Sequence, residues 1–157
     1  MIRRCTLVSV GRPKGWAAEA SDDYARRLRR YFPVSIIEVP EEDMNRCSHK
    51  EVLAAEAERI LKRLPNDAYV ISLDREKGKQ HPSEKLALKL EDLGASGRSH
   101  VAFVIGGPLG LSPDVLQSSN ELWSFGSITL PHALARVVLL EQLYRALKIH
   151  RNEKYHW

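Results

Sequence analysis

Apolar and polar positions follow two rhythms along this chain, one of period two and one near 3.6, and they alternate five times. Residues 3–10 (Arg-Arg-Cys-Thr-Leu-Val-Ser-Val) read as a strand that ends at Gly11 and Pro13. Residues 17–31 hold no Pro or Gly, and Ala18, Tyr24, Ala25 and Leu28 recur at helical spacing until Pro33 stops the run. Val34–Val39 is β-branched and predicts a second strand. Ser48 with Glu51 three positions later forms a capping box for a helix that runs to about Leu64. Ala68–Asp74 is the third strand, entering a polar loop over Arg75–His81, and Ser83–Leu93 is a helix closed by Gly94. Val101–Ile105 is a buried fourth strand that runs straight into Gly106-Gly-Pro-Leu-Gly110. Ser112–Ser119 is a short helix with Pro113 at its start. Trp123–Leu130 is a fifth strand interrupted at Gly126, Pro131–Ile149 the last helix, and His150–Trp157 a polar-aromatic tail.

Strands that alternate with helices in this way imply an α/β fold, a mostly parallel sheet with helices on both faces. The chain of 157 residues predicts one domain, 1–157, large enough to hold a core without disulfides or a structural metal. The apolar runs are far shorter than the roughly 18–20 residues of a membrane span, and the first twenty residues lack the pattern of a secretory signal. Only two cysteines, Cys5 and Cys47, are present, so a protein of a reducing cytoplasm is expected. Six histidines show no HExxH and no zinc spacing, and no metal site is expected.

Charge is uneven. Residues 1–30 carry eight Lys/Arg against three acids, and the chain as a whole has a net charge of +4. That excess at one end invites a polyanionic partner, most often nucleic acid. The run Tyr24–Tyr31 sets Arg26, Arg29 and Arg30 on one stripe; it is either a solvated face or a phosphate-contacting patch with tyrosines to stack on bases.

The glycine loop after the fourth strand lies where open α/β sheets bind ligands, at the carboxyl edge, although a tight turn would need glycine as well. It is neither a P-loop nor a dinucleotide fingerprint, and its late position disfavours a Rossmann enzyme. Thr129 is placed to cap the last helix, with Pro131 inside its first turn. In that helix twelve of the seventeen residues Ala133–Ile149 are apolar, with no clean polar face. Such a helix is buried or covered by a second subunit, and a homodimer interface is expected. Glu141 and Arg145 can pair along it.

Three segments together resemble the RlmH family of SPOUT methyltransferases: Phe103-Val-Ile-Gly-Gly-Pro-Leu-Gly-Leu-Ser112, Ser127-Ile-Thr-Leu-Pro-His132, and Arg136-Val-Val-Leu-Leu-Glu-Gln-Leu-Tyr-Arg-Ala146 with Tyr155-His156. The resemblance implies a C-terminal trefoil knot, an obligate homodimer, and S-adenosylmethionine (SAM) as cofactor. It also implies methyl transfer to N3 of a pseudouridine in the 23S rRNA of the large ribosomal subunit. Carried over by motif, the cofactor contacts are Leu73, Gly106, Phe125, Gly126, Ser127, Ile128, Thr129 and Leu130. His156 and His132 are candidates for the proton acceptor, Tyr155 for holding the base, and Arg136 for stabilising charge on its carbonyl oxygens. Family members place a basic residue after the Tyr-His pair, whereas Trp157 stands here. Rival expectations are a SPOUT enzyme acting on tRNA, a ribosome-binding module without catalysis, and a flavodoxin-like binder that the basic N-terminal excess disfavours.

Overall fold

The computed structural model describes residues 1–156, so Trp157, the last residue of the polar-aromatic tail, lies outside the described residues. Six strands run in one sheet: β1 (Arg4–Val10), β2 (Val34–Val39), β3 (Tyr69–Leu73), β4 (Lys79–Gln80), β5 (His100–Ile105) and β6 (Glu121–Ser124). Their order is β2-β1-β5-β3-β6-β4, and every pairing is parallel. Five helices connect them: α1 (Gly15–Leu28), α2 (His49–Arg63), α3 (Ser83–Ala95), α4 (Pro113–Gln117) and α5 (His132–His150).

Side chains alternate across the strands and so build two cores. Leu7, Ile71, Phe103 and Ile105 face Leu28 of α1, Leu86 and Leu90 of α3, and Leu139 and Leu143 of α5. Val8, Val10, Ala102 and Val104 face Val115 of α4 and Ala57 and Ile60 of α2. Helices therefore cover both faces, as the alternation implied. The capping box at Ser48 forms as expected: Ser48 Oγ accepts from the Glu51 N–H and the Glu51 carboxylate accepts from the Ser48 N–H.

Four local expectations change. Gly94 does not close α3 but lies inside it, and it is glycine there because a Cβ would strike the Met1 carbonyl. The fifth predicted strand stops at Ser124, and Phe125–Leu130 form a loop instead. The polar segment after β3 contributes a two-residue sixth strand, too short to carry a pattern. The last helix starts one residue late, with Pro131 at its N-cap; Thr129 does not cap it.

Every residue of α5 except His150 is at least partly buried. The helix packs against α1 on one side and α3 on the other, which accounts for much of its apolar surface within one chain.

Candidate functional site

The carboxyl ends of β3, β5 and β6 meet at a cleft of about 790 Å³. That volume lies inside the range of roughly 300–1,000 Å³ found for small-molecule sites. Leu73, Ile105 and Trp123 form its strand ends, the glycine loop one wall, the 124–131 loop another, and His132 and Ala135 the start of α5. Trp123 is buried, edge-on to His81 at 5.6 Å and tilted against Phe103 at 5.4 Å, so this side of the cleft is rigid.

Glycine is required at particular points. A Cβ on Gly106 would sit 2.5 Å from the Gly110 carbonyl oxygen, so the loop closes on itself only without a side chain. Gly126 has φ +111°, a conformation L side chains rarely adopt, with open space around it. Its break therefore comes from backbone conformation. Ser124 Oγ fixes this turn by accepting from the Gly126 N–H at 3.1 Å and donating to the Arg75 carbonyl at 2.9 Å. Arg75 then reaches across, its Nη1 donating to Thr129 Oγ1 at 2.5 Å. Thr129 is thus tied to the loop after β3 where a helix cap was expected. Ile128, in the same loop, is left 68% exposed.

Of the residues expected to hold a cofactor, Leu73, Gly106, Phe125, Gly126, Ile128, Thr129 and Leu130 all line the cleft. Ser127 is in the same loop, exposed, and does not line it. His132 stands at the rim with Nε2 3.1 Å from Glu41 Oε1. Arg75 and Glu76 also line the cleft, and pattern reading passed over them because an exposed polar loop carries no periodicity.

Arg136 does not line the cleft. It is 4% exposed, and its Nη2 lies 3.2 Å from both Glu38 Oε2 and the Gly11 carbonyl. Burial pulls the guanidinium below its ordinary value, and Glu38 opposes that pull. Removing one partner of a buried pair costs about 3–5 kcal/mol because the other is left uncompensated. Glu38→Ala is therefore expected to destabilise the fold by roughly 3 kcal/mol, measured by urea unfolding.

Tyr155 and His156 dock elsewhere. Glu141 holds Arg145 through two bonds, 2.6 and 3.1 Å, so the predicted i,i+4 pair forms. Arg145 then stacks its guanidinium 4.9 Å from the Tyr155 ring centroid and donates to the His156 carbonyl at 3.0 Å. The Tyr155 hydroxyl donates to Glu141 at 3.2 Å and lies 3.3 Å from the Tyr24 hydroxyl. Burial first, then Tyr24 and Glu141, push the Tyr155 hydroxyl well above the usual phenol value, so it stays protonated as a donor. His156 Nε2 is 2.8 Å from Glu84 Oε1. Arg145 is ten residues beyond Ala135, the last residue of α5 to line the cleft, which is about 15 Å along a helix. Within one chain the tail and the cleft are therefore separate.

Behind the glycine loop lies a buried carboxyl, Glu56, 3% exposed. Its Oε2 accepts from the Glu42 N–H at 3.0 Å while Oε1 has no partner. Burial raises this carboxyl above its ordinary value. A raised carboxyl means that the folded state binds the proton more tightly than the unfolded chain. Its contribution to stability is thus greatest below the unfolded value and is lost as pH rises through the folded one. Glu56→Gln is expected to gain about 1 kcal/mol at pH 8 and nothing at pH 4, read as melting temperature against pH.

A parallel sheet with a glycine-walled cleft at the ends of its late strands defines a small α/β protein with one candidate ligand site. The sequence family described as "Predicted SPOUT methyltransferase" matches residues 3–156, and the chain belongs to it. "Ribosomal RNA large subunit methyltransferase H" of Rubrobacter xylanophilus is 66% identical over 158 aligned residues, covering 100% of both chains. The protein of the same name from Bifidobacterium adolescentis is 44% identical, covering 98% of this chain and 99% of its own. In fold, the chain is similar to the crystal structure of a "Probable Methyltransferase" from Bordetella pertussis Tohama I. The TM-score is 0.55 at 19% identity, over 93% of this chain and 95% of that one. Among the described residues no helix is long and apolar enough to cross a membrane, and no group of three metal-ligating side chains occurs.

Proposed function

We propose that this methyltransferase, folded as a single domain, uses SAM to methylate N3 of a pseudouridine in 23S rRNA on the assembled ribosome. The observation that carries this reading is the match, end to end, to relatives named for methylating large-subunit ribosomal RNA. The cleft supports it, because seven of the eight residues expected to touch the cofactor converge on one cavity.

The residues present fit that cofactor. Strand-end backbone at Leu73, the side-chain-free Gly106 and the exposed Ile128 beside Phe125 and Leu130 offer hydrogen-bonding atoms and apolar walls to an adenosine. Once bound, SAM supplies a methyl group already activated by a sulfonium, so no metal is needed. The protein's work is to orient two reactants and to move a proton. Phe125–Leu130 orient the cofactor, and the Arg75–Thr129 bond holds that loop against the β3 end. Arg136, clamped to Glu38, positions the first turns of α5 and hence His132.

The imide nitrogen of a pyrimidine loses its proton before it can attack, and a ring nitrogen of His156 is our candidate acceptor, with His132 as the alternative. Tyr155 holds the base. Because this tail lies about 15 Å along α5 from the cleft, the reading requires a homodimer in which one copy's tail serves the other's cleft. The trefoil knot implied by the family resemblance belongs to the same proposal, with the glycine loop and the 124–131 loop as the crossing segments.

Calorimetric titration with SAM, at a concentration where light scattering gives the mass, tests this reading. Saturable binding by a dimer is expected. A folded protein that stays monomeric at all concentrations would rule out the shared site.

A further inference from the structure

The arginines divide into two sets. Eight (Arg12, Arg26, Arg27, Arg46, Arg59, Arg75, Arg136 and Arg145) pair with a carboxylate. The remaining seven have no carboxylate partner among the described residues, and all seven lie at one end of the fold. Arg3 and Arg4 begin β1, Arg29 and Arg30 follow α1 just before β2, and Arg98 precedes β5. Arg63 ends α2 before β3, and Arg151 follows α5. This is the amino edge of the parallel sheet, opposite the cleft.

The edge is flush. Cys5 registers with Val34 on one side and Val101 on the other, and Val101 with Tyr69. Four adjacent strand starts span about 15 Å at a spacing near 4.8 Å. Several guanidiniums are held rather than loose: Arg29 Nε donates to the Val34 carbonyl at 3.1 Å, Arg98 lies 5.1 Å over the Tyr69 ring, and Arg151 4.6 Å over Tyr31. Acids here are largely committed, Asp67 to His100 at 3.0 Å and Glu153 to Lys148, leaving Asp92 in the last turn of α3. A row of arginines without salt-bridge partners matches phosphate, which a guanidinium grips through paired N–H donors. Duplex nucleic acid presents one charge per roughly 1.7 Å of axis, so a 15 Å row meets several.

We infer that this amino edge is a second RNA-binding surface, which grips backbone phosphates about 20 Å, the length of β1, from the cleft. It rests on the RNA-substrate reading for its purpose, but its binding is measurable without methyl transfer. The test is anisotropy titration of a generic RNA duplex over a range of salt, with wild type, R3Q/R4Q/R30Q, and K14Q/K50Q/K85Q. The lysine variant removes the same charge at the opposite end, in the first turns of α2 and α3 and just before α1.

The arginine variant is expected to bind roughly tenfold more weakly near physiological salt, with a log–log salt slope shallower by about two to three, and to keep wild-type SAM affinity. The lysine variant should change little. Equal losses in both variants, or an arginine variant that binds like wild type, would overturn the inference. So would wild type binding anionic lipid vesicles but not RNA. Failure of ribosomes to accept a methyl group would instead strike the functional reading and leave the duplex result standing.

Discussion

Gly106→Val is expected to lower SAM affinity roughly 100-fold or more while the protein still folds. A valine must place its Cβ 2.5 Å from the Gly110 carbonyl oxygen, and the atom in the way is backbone, which no rotamer change can move. Forced overpacking of this kind typically costs about 1–3 kcal/mol. A domain with stability of about 5–15 kcal/mol survives that cost, but a binding loop displaced by it does not keep its ligand. A hundredfold loss corresponds to about 2.7 kcal/mol, the same order as the strain. Calorimetry with far-ultraviolet circular dichroism as the folding control reads both quantities. Ile128→Ser is the companion variant, since a side chain 68% exposed in the absence of ligand can be truncated at little cost to the fold. Weakened binding by Ile128→Ser with an unchanged melting temperature would place the cofactor against the 124–131 loop.

The second large effect is at the tail. His156→Ala should slow methyl transfer by about 10²–10⁴, the usual contribution of a positioned acid or base, with SAM affinity nearly intact. Loss of both together would mean that the Glu84–His156–Arg145 contacts matter only for folding. The shared-site geometry adds a sharper expectation. G106V carries a spoiled cleft and a sound tail, and H156A the reverse. Mixed and allowed to exchange subunits, they form heterodimers in which one cleft meets one intact tail. Activity should recover to roughly a quarter of the wild-type rate at statistical exchange. A cleft served by its own tail would give no recovery.

The strand–helix alternation was legible because strands and helices with one or two buried faces leave a strong periodic signal. The capping box at Ser48 and the Glu141–Arg145 pair were legible for a related reason: each is local, within four residues. The 125–130 segment was misread because Ile128, Thr129 and Leu130 look like strand residues, β-branched and apolar. Pattern alone cannot distinguish an apolar side chain kept for a sheet from one kept for a ligand. Arg75 was missed since its contact with Thr129 spans 54 positions and its own neighbours are polar. The docking of the tail was equally silent, because Tyr24 and Tyr155 meet across 131 positions. Arg136 shows the opposite case. A cation in the apolar first turns of α5 invites a catalytic reading, and only the fold brings Glu38 and Gly11 to it, from 98 and 125 positions away.

The most direct measurement is transfer of labelled methyl from SAM, with large ribosomal subunits and bulk tRNA offered side by side as acceptors. Label in 23S rRNA, lost when the target pseudouridine is left as uridine, is the expected result. Label in tRNA alone, or none in either from a protein that binds SAM as a dimer, would contradict it.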